Sequence, residues 1–450
     1  MASSLLSLPP ELLLHVVDAI QDAPSLRTLI LTCKVARALA EPVLYRAVLV
    51  TTGSQAVRLA AVLQQNRIAL VQDVNLRPIE YENERLEVLT PLIGAMTQLR
   101  TLAIESPFAN YGLWRSNSTR WGQLMEGYHE MFLDSQRGVG LQNLQSLTIH
   151  WCGVGSRFWI LSEVKTILTL PSLQSLTISC AVLDDDLTEE LAGLAGTTRL
   201  THLELIECFV THKGLIAVLS LPRALQSCLL GGLRHHSCGS TRPAASVEQQ
   251  LDALRQQCHS LEQFTWYDKR AVYDADDTSI VSIPSASSLR DFTELRTLTV
   301  DGAASLLFSI LLSSDAPPNL RRLRVIRHDQ GDVLDAGGET REGEVEKPAR
   351  ILSLLPPREL HKCLPSLRHL DVVFSPSTRW GSDMDQSLMA RADRRERVKR
   401  AAAEYRGIAL TIFLALRGSV IPPYLYGEMV PREEVAYRAE DGWFEPRMME

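Results

Sequence analysis

Apolar positions in this chain follow two different spacings, and the change between them divides the molecule. From Leu8 to Val48 they return at helical intervals. Pro9 and Pro10 suit a first helical turn, where a missing N–H is harmless. Leu12, Leu13, Val16, Val17 and Ile20 follow; Leu26, Leu29, Ile30 and Cys33 recur after Pro24-Ser25; Leu39, Pro42, Leu44 and Tyr45 close the segment. This predicts three helices over residues 8–48. A unit of about 40 residues buries too little surface to stand alone, so it needs a partner, either the rest of the chain or another protein.

From residue 71 a shorter pattern, apolar-x-x-apolar-x-apolar, takes over. Its units start at Val71, Leu99, Leu144, Leu173, Leu200, Leu225, Leu261, Leu295, Leu320 and Leu367, most often 25 to 29 residues apart. The last two apolar residues of each unit lie two apart, so a strand turns both to one side. The first turns into the same core at the strand's start. Burying one such side chain is worth about 1.5–3 kcal/mol. One unit cannot cover its own apolar face, whereas a stack covers it continuously. Helices are predicted between strands, at residues 186–191 and 247–258 among others.

On these residues two resemblances rest. Leu8-Pro9, Glu11-Leu12-Leu13, Leu26, Cys33, Arg37, Leu39, Pro42, Leu44 and Tyr45 resemble an F-box, with Ala36 where many F-boxes carry Trp. The repeated units resemble leucine-rich repeats of a divergent, cysteine-containing type. Cys152 and Cys208 stand eight places after their unit's first Leu, where such repeats satisfy backbone groups at the turn; Cys180 misses by one.

Together these features are similar to the F-box/leucine-rich-repeat substrate adaptors of SCF-type ubiquitin ligases. The resemblance implies an α/β fold with a three-helix F-box-like segment at 1–50 and an irregular solenoid of parallel strands over 51–375. A C-terminal helical cap and tail would fill 376–450. It implies that Leu8, Pro9, Leu12, Leu13, Val16, Leu26, Leu29, Leu39, Pro42, Leu44 and Tyr45 meet a Skp-family adaptor. The repeats would hold a target protein for a cullin ligase, with no catalysis and no cofactor of the chain's own. The alternative is a leucine-rich scaffold whose N-terminal helices only cap the solenoid.

Composition narrows the classes. In 450 residues, 45% hydrophobic and 22% charged content matches an ordinary globular protein. A net charge of -7 argues against nucleic acid as the main partner. The first basic residue is Arg27, so the start does not read as a secretory signal. Gly407 to Leu416 is too short to span a bilayer, and eight scattered cysteines fit reduced thiols. A cytoplasmic or nuclear protein, apart from membranes, is expected.

Catalytic motifs are lacking. There is no G-x-x-x-x-G-K-[ST] and no H-E-x-x-H. Cys228 with His235, His236 and Cys238 fits no structural zinc spacing well, so no metal is expected, although an enzyme site around 228–239 stays open as a third reading. Asp184-Asp185-Asp186 reads as a helix cap and its favourable charge. Residues 106–140, with Trp114, Trp121, Tyr128 and Phe132, read as an insertion that packs locally or meets a partner. Residues 329–349 read as a disordered loop, and 382–406 as a basic helix with a solvated face.

Residues alternating with the repeat leucines line the opposite strand face. Along it, Tyr267, Asp301, Arg322, Arg324 and Asp371 gather in the last units and are the candidates for target binding, since aromatic and Arg side chains often anchor interfaces.

Overall fold

The computed structural model describes residues 8–20, 22–63, 67–78, 85–105, 118–150, 159–231, 244–267, 288–301, 305–328, 352, 354–375, 392–416, 425–426, 428, 430 and 432–444. They form a mixed α/β protein with a large, mostly parallel sheet. Helices α1 (Pro10–Asp18), α2 (Ala23–Thr32) and α3 (Lys34–Arg46) lead directly into β1 (Ala47–Val50). There follow α4 (Gly53–Val62), β2 (Asp73–Leu76), α5 (Thr90–Gly94), β3 (Thr101–Glu105), α6 (Ser118–Gln136), β4 (Ser146–His150), β5 (Trp159–Ile160), β6 (Ser175–Ser179) and β7 (Ala181–Leu183). Next come α7 (Asp186–Glu190), β8 (His202–Ile206), β9 (Phe209–Val210), α8 (His212–Ser220), β10 (Ser227–Gly231), α9 (Val247–Leu254), β11 (Gln263–Tyr267), β12 (Thr297–Asp301) and α10 (Ser305–Leu311). The chain continues with β13 (Arg322–His328), α11 (Pro357–Cys363), β14 (His369–Ser375), α12 (Ala392–Ala402), β15 (Ala409–Leu416), β16 (Arg432–Arg438) and β17 (Gly442–Trp443).

Local chemistry accounts for the helix boundaries. Asp22 accepts the Ser25 N–H at 2.7 Å and opens α2. Cys33, extended between α2 and α3, accepts the Ala36 N–H on its sulfur at 3.4 Å. Ser246 and Gln249 make a reciprocal capping box for α9, which runs on into a 3-10 turn, Arg255–Gln257, as the 247–258 pattern predicts. The helix predicted at 186–191 is α7, but Asp185, at its N-cap, makes no side-chain capping bond. The expected Asp cap is therefore corrected.

The chain forms two compact units, residues 1–152 with 163–177, and residues 153–162 with 178–450. In the first, β1, β2, β3 and β4 pair in parallel, with Val48, Val74, Leu102 and Leu147 abreast and Val50, Leu76, Ile104 and Ile149 abreast two residues later. In the second, β8, β10, β11, β12, β13, β14 and β15 pair in parallel. Leu203, Cys228, Phe264, Leu298, Leu323, Leu370 and Leu410 form one buried row across them. A separate parallel set of β5, β7 and β9 belongs to the same unit.

All ten unit-starting residues, Val71 through Leu367, are buried. Just after most of these starts the backbone is tied across strands. The Arg296 carbonyl accepts the N–H groups of both Arg321 (2.8 Å) and Arg322 (2.9 Å), and the Arg321 carbonyl those of Arg368 (2.8 Å) and His369 (3.0 Å). Buried Gln257 satisfies its amide by donating to the carbonyls of Leu219 and Pro222 and accepting the Leu225 N–H.

The turn cysteine behaves as its position predicts. The Cys208 thiol lies 3.5 Å from the Ile178 carbonyl and 3.4 Å from that of Ile206, and burial pushes it up to about 12. Cys180 sits one place earlier in its unit, where the backbone is left-handed (φ 55°), as at Glu207 (φ 53°). Cys152 lies outside the described residues.

Two expected boundaries are corrected. The sheet begins at Ala47, inside the segment predicted as helical up to residue 50, because Ala-Val-Leu-Val pairs residue for residue with β2. The C-terminal region is not a purely helical cap: after α12, β15 continues the parallel sheet and β16 and β17 add antiparallel strands. Ala-Leu-Thr-Ile-Phe-Leu-Ala-Leu is an apolar run rich in strand-favouring residues, long enough for a buried strand. Of the insertion at 106–140, α6 packs locally through buried Tyr128 and Phe132. Trp114, the side chain of Trp121 and the loop at 329–349 lie outside the described residues. Of the basic segment, α12 buries Val398 and Ala402 and exposes Lys399 and Arg400.

Candidate interaction surfaces

Helices α1 to α3 have a small core of their own. Val17, Leu26 and Ala40 are buried together, with Ile20, Leu29, Ile30, Leu39, Val43 and Leu44 packed half-buried against them. Arg46 donates to Asp18 at 2.8 Å and ties α3 to α1. At its far end α3 is anchored to the residues that follow. Arg67 donates to Glu41 at 2.7 Å and lies 5.2 Å over the ring of Tyr45, and the Arg46 carbonyl accepts the Gln72 N–H.

That core uses only part of the apolar surface. On α1, Leu13 and Val17 point inward, whereas Leu12 (49% exposed), Leu14 and Val16 face out, beside exposed Leu8 and Pro9. Leu31, at the end of α2, is 78% exposed, and Val35 on α3 is exposed as well. Residues about 100° apart on a helix cannot all share one face, and Leu12-Leu13-Leu14 with Val16-Val17 is wider than one neighbour can cover.

The predicted adaptor contacts therefore separate into three groups. Leu8, Pro9, Leu12 and Val16 are exposed. Leu29, Leu39, Pro42, Leu44 and Tyr45 are half-buried, Tyr45 under Arg67. Leu13 and Leu26 are corrected: both are buried, Leu26 with Val17 and Ala40 in the core of the three helices. Leu14, Leu31 and Val35 join the exposed group without having been predicted. The surplus of consecutive leucines and valines was the signal for Leu14.

The late strand face is also more self-contained than its sequence suggests. Tyr267, 9% exposed, is buried with Ile326, Val373 and Ala415, with Leu229 and Phe413 against them. Arg322 donates to buried Asp371 at 2.6 Å. Arg324 donates to Glu433 on β16 and lies 5.6 Å over the Phe413 ring. Tyr267 and Asp371 are thus corrected from exposed contacts to interior groups, and Arg324 is occupied by an antiparallel strand more than a hundred residues on. Arg322 keeps about half of its side chain in solvent. Asp301 lies on β12 abreast of Ile326; its side chain lies outside the described residues.

No family model matches the chain, and no curated protein matches it. The remaining chemistry has to be read from the residues themselves.

At the strand ends of the first unit lies a polar counterpart to the Tyr267 cluster. Arg77 donates to buried Glu105 at 3.0 Å, and His150 is abreast of Glu105. His150 is buried with its Nδ1 unsatisfied. Burial, with the Arg77 charge second, lowers its pKa to about 4, so it is neutral near pH 7.

Among the described residues no group of His, Cys, Asp and Glu is arranged to hold a metal ion. Cys228 lies in the core row of β10, and burial raises its thiol pKa. His235, His236 and Cys238 lie outside the described residues. No described helix is long and apolar enough to cross a membrane.

Proposed function

We propose that the chain is a substrate-recognition subunit of an SCF-type ubiquitin ligase. In this reading residues 8–46 dock a Skp-family adaptor and the strand units form a leucine-rich-repeat solenoid that holds a target protein. The observation that carries it is the apolar surface at Leu8, Leu12, Leu14, Val16, Leu31 and Val35, which stays exposed among the described residues. The F-box-like order of residues in the same segment supports the same reading. The chain would act by raising the local concentration of target beside the transfer machinery, with no bond-making step of its own.

Capture of a purified Skp-family protein tests this. The intact chain binds it, and changing Leu8, Leu12 and Val16 together to Gln abolishes capture while the circular dichroism spectrum is kept. Failure to capture, or equal capture by the variant, sinks the adaptor reading.

A second reading, a scaffold capped by its N-terminal helices, has its own support in the anchoring of α3. The Arg67–Glu41 bond, the Arg67–Tyr45 stacking and the absence of any linker before β1 tie α3 to the residues that follow it. Removing residues 1–32 separates the two readings. The scaffold predicts aggregation or a lowered Tm, and the adaptor predicts a folded remainder that no longer captures the Skp-family protein.

A further inference from the structure

Immediately after their unit-starting leucines, three consecutive units carry arginine: Leu295-Arg296, Leu320-Arg321 and Leu367-Arg368. The strands they open are parallel neighbours, with Thr297, Arg322 and His369 abreast, so the three arginines are also abreast, one residue earlier. All three are exposed. Neighbouring strands are about 4.8 Å apart, so the row spans about 10 Å. That is no more than a Debye length at ~0.1 M salt, and the like charges repel with little screening.

Cations close by are treated differently. Arg322 is held by Asp371, Arg324 by Glu433 and Arg438 by Asp441. Among the described residues, Arg296 in the row has only Glu294 at 3.5 Å, and Arg321 and Arg368 have no carboxylate within ion-pair distance. Among the described residues the one acidic residue aligned with the row is Glu262, just before β11 and beside Arg296. The backbone beneath the row is rigid. Glu262 accepts from Arg296 and Thr297, Arg296 from Arg321 and Arg322, Arg321 from Arg368 and His369, and Arg368 from Ala409. The guanidinium groups therefore project from a fixed ladder, which limits the ordering a ligand must impose.

We propose that Arg296, Arg321 and Arg368 are a docking row for an acidic stretch of a partner protein. Guanidinium groups bind carboxylate or phosphate oxygens through paired N–H donors, so an anion lying across the strands can be shared by adjacent arginines. Such a stretch replaces mutual repulsion by attraction without disturbing the fold, because none of the three side chains is part of the core. The row is separate from the apolar helices, and its test needs no Skp-family protein. Failure here leaves the adaptor reading standing, and the converse also holds.

Fluorescence anisotropy of the intact chain with labelled peptides tests it. The probes are an alternating Glu-Ser peptide, an alternating Gln-Ser peptide carrying phosphate on each Ser, the unphosphorylated Gln-Ser peptide and a single-stranded DNA of equal charge. The Glu-Ser or the phosphorylated peptide binds, more weakly as salt rises, and the neutral peptide does not. Whichever anionic peptide binds more tightly identifies carboxylate or phosphate as the charge. The double variant Arg321→Gln with Arg368→Gln weakens that binding about tenfold or more, the loss of a charge-assisted contact. The same variant keeps or raises its Tm, since it removes repulsion; a structural role predicts a lower one. Equal binding of the neutral peptide, unchanged binding by the variant, or tighter binding of the DNA overturns the proposal.

Discussion

The N-terminal helices and the strand units that follow handle apolar side chains in opposite ways. In the strand units each unit-starting residue is buried, and so is each core-facing residue of the rows from Val74 and Leu203 onward, because a neighbour on either side presents the same two rows. In the helices, side chains of the same kind alternate between a small shared core and open solvent within a single turn: Leu13 is in and Leu12 and Leu14 are out. Repetition gives every apolar row a matching surface. A three-helix group has no such neighbour, and what it cannot cover remains available to another molecule.

The comparison is broken most directly at the core rows. Leu323→Ala is expected to cost about 2–5 kcal/mol, measured by urea unfolding, because the rows above and below cannot close the cavity. A loss under ~1 kcal/mol would mean the rows are loosely packed and the contrast with the helices is false. Next in size is Arg77→Ala, which takes the guanidinium from buried Glu105 and is expected to cost about 3 kcal/mol in the same assay. A null result there would mean that the charged strand ends are no more demanding than exposed surface.

A pH effect comes next. Because His150 has its folded pKa lowered to about 4 from the ordinary 6.5, the unfolded chain takes up the proton first as pH falls. Its contribution is fully present above about pH 6.5 and is lost as pH falls toward 4. Between pH 7 and 5 this amounts to about 2 kcal/mol. In His150→Leu that part of the slope disappears, and an unchanged slope in the variant would assign it to other groups. The smallest effect is on the helices. Leu12→Gln with Val16→Gln should change stability by no more than ~0.5 kcal/mol, since both side chains are already in water. A larger loss would place them in a core and remove the distinction.

Much of the fold was legible because its signal is periodic. The ten-fold motif correctly assigned the buried side of its strands, since alternation along a strand is a local property that lateral pairing only repeats. The motif missed β15 for a traceable reason. Ile408, Leu410 and Ile412 alternate strictly, one residue shorter than the motif, although their burial matches that of the other units. It missed β1 because Ala47 to Val50 looks like the tail of a helix until β2 lies beside it.

The candidate sites were legible only in part. Residue type indicated that Tyr267, Arg322, Arg324 and Asp371 would share a face, and they do. Whether they were open to a partner depended on Glu433 and Phe413, which come from distant strands and carry no signal near Arg324 in sequence. The arginine row was written in the sequence as Leu-Arg at three consecutive unit starts, with the same pair also at Leu99-Arg100. It acquires meaning only when the register brings the three abreast.

Local spacing was enough to set where the ten repeated strands form and which side of each turns inward, because alternation follows from neighbouring residues alone, whereas β1 and β15 needed their paired strands. Tertiary packing decided which greasy helix positions stay uncovered, which charges find partners and which are left in a row. Those outcomes depend on groups brought together from far along the chain, and no short window of residues contains them.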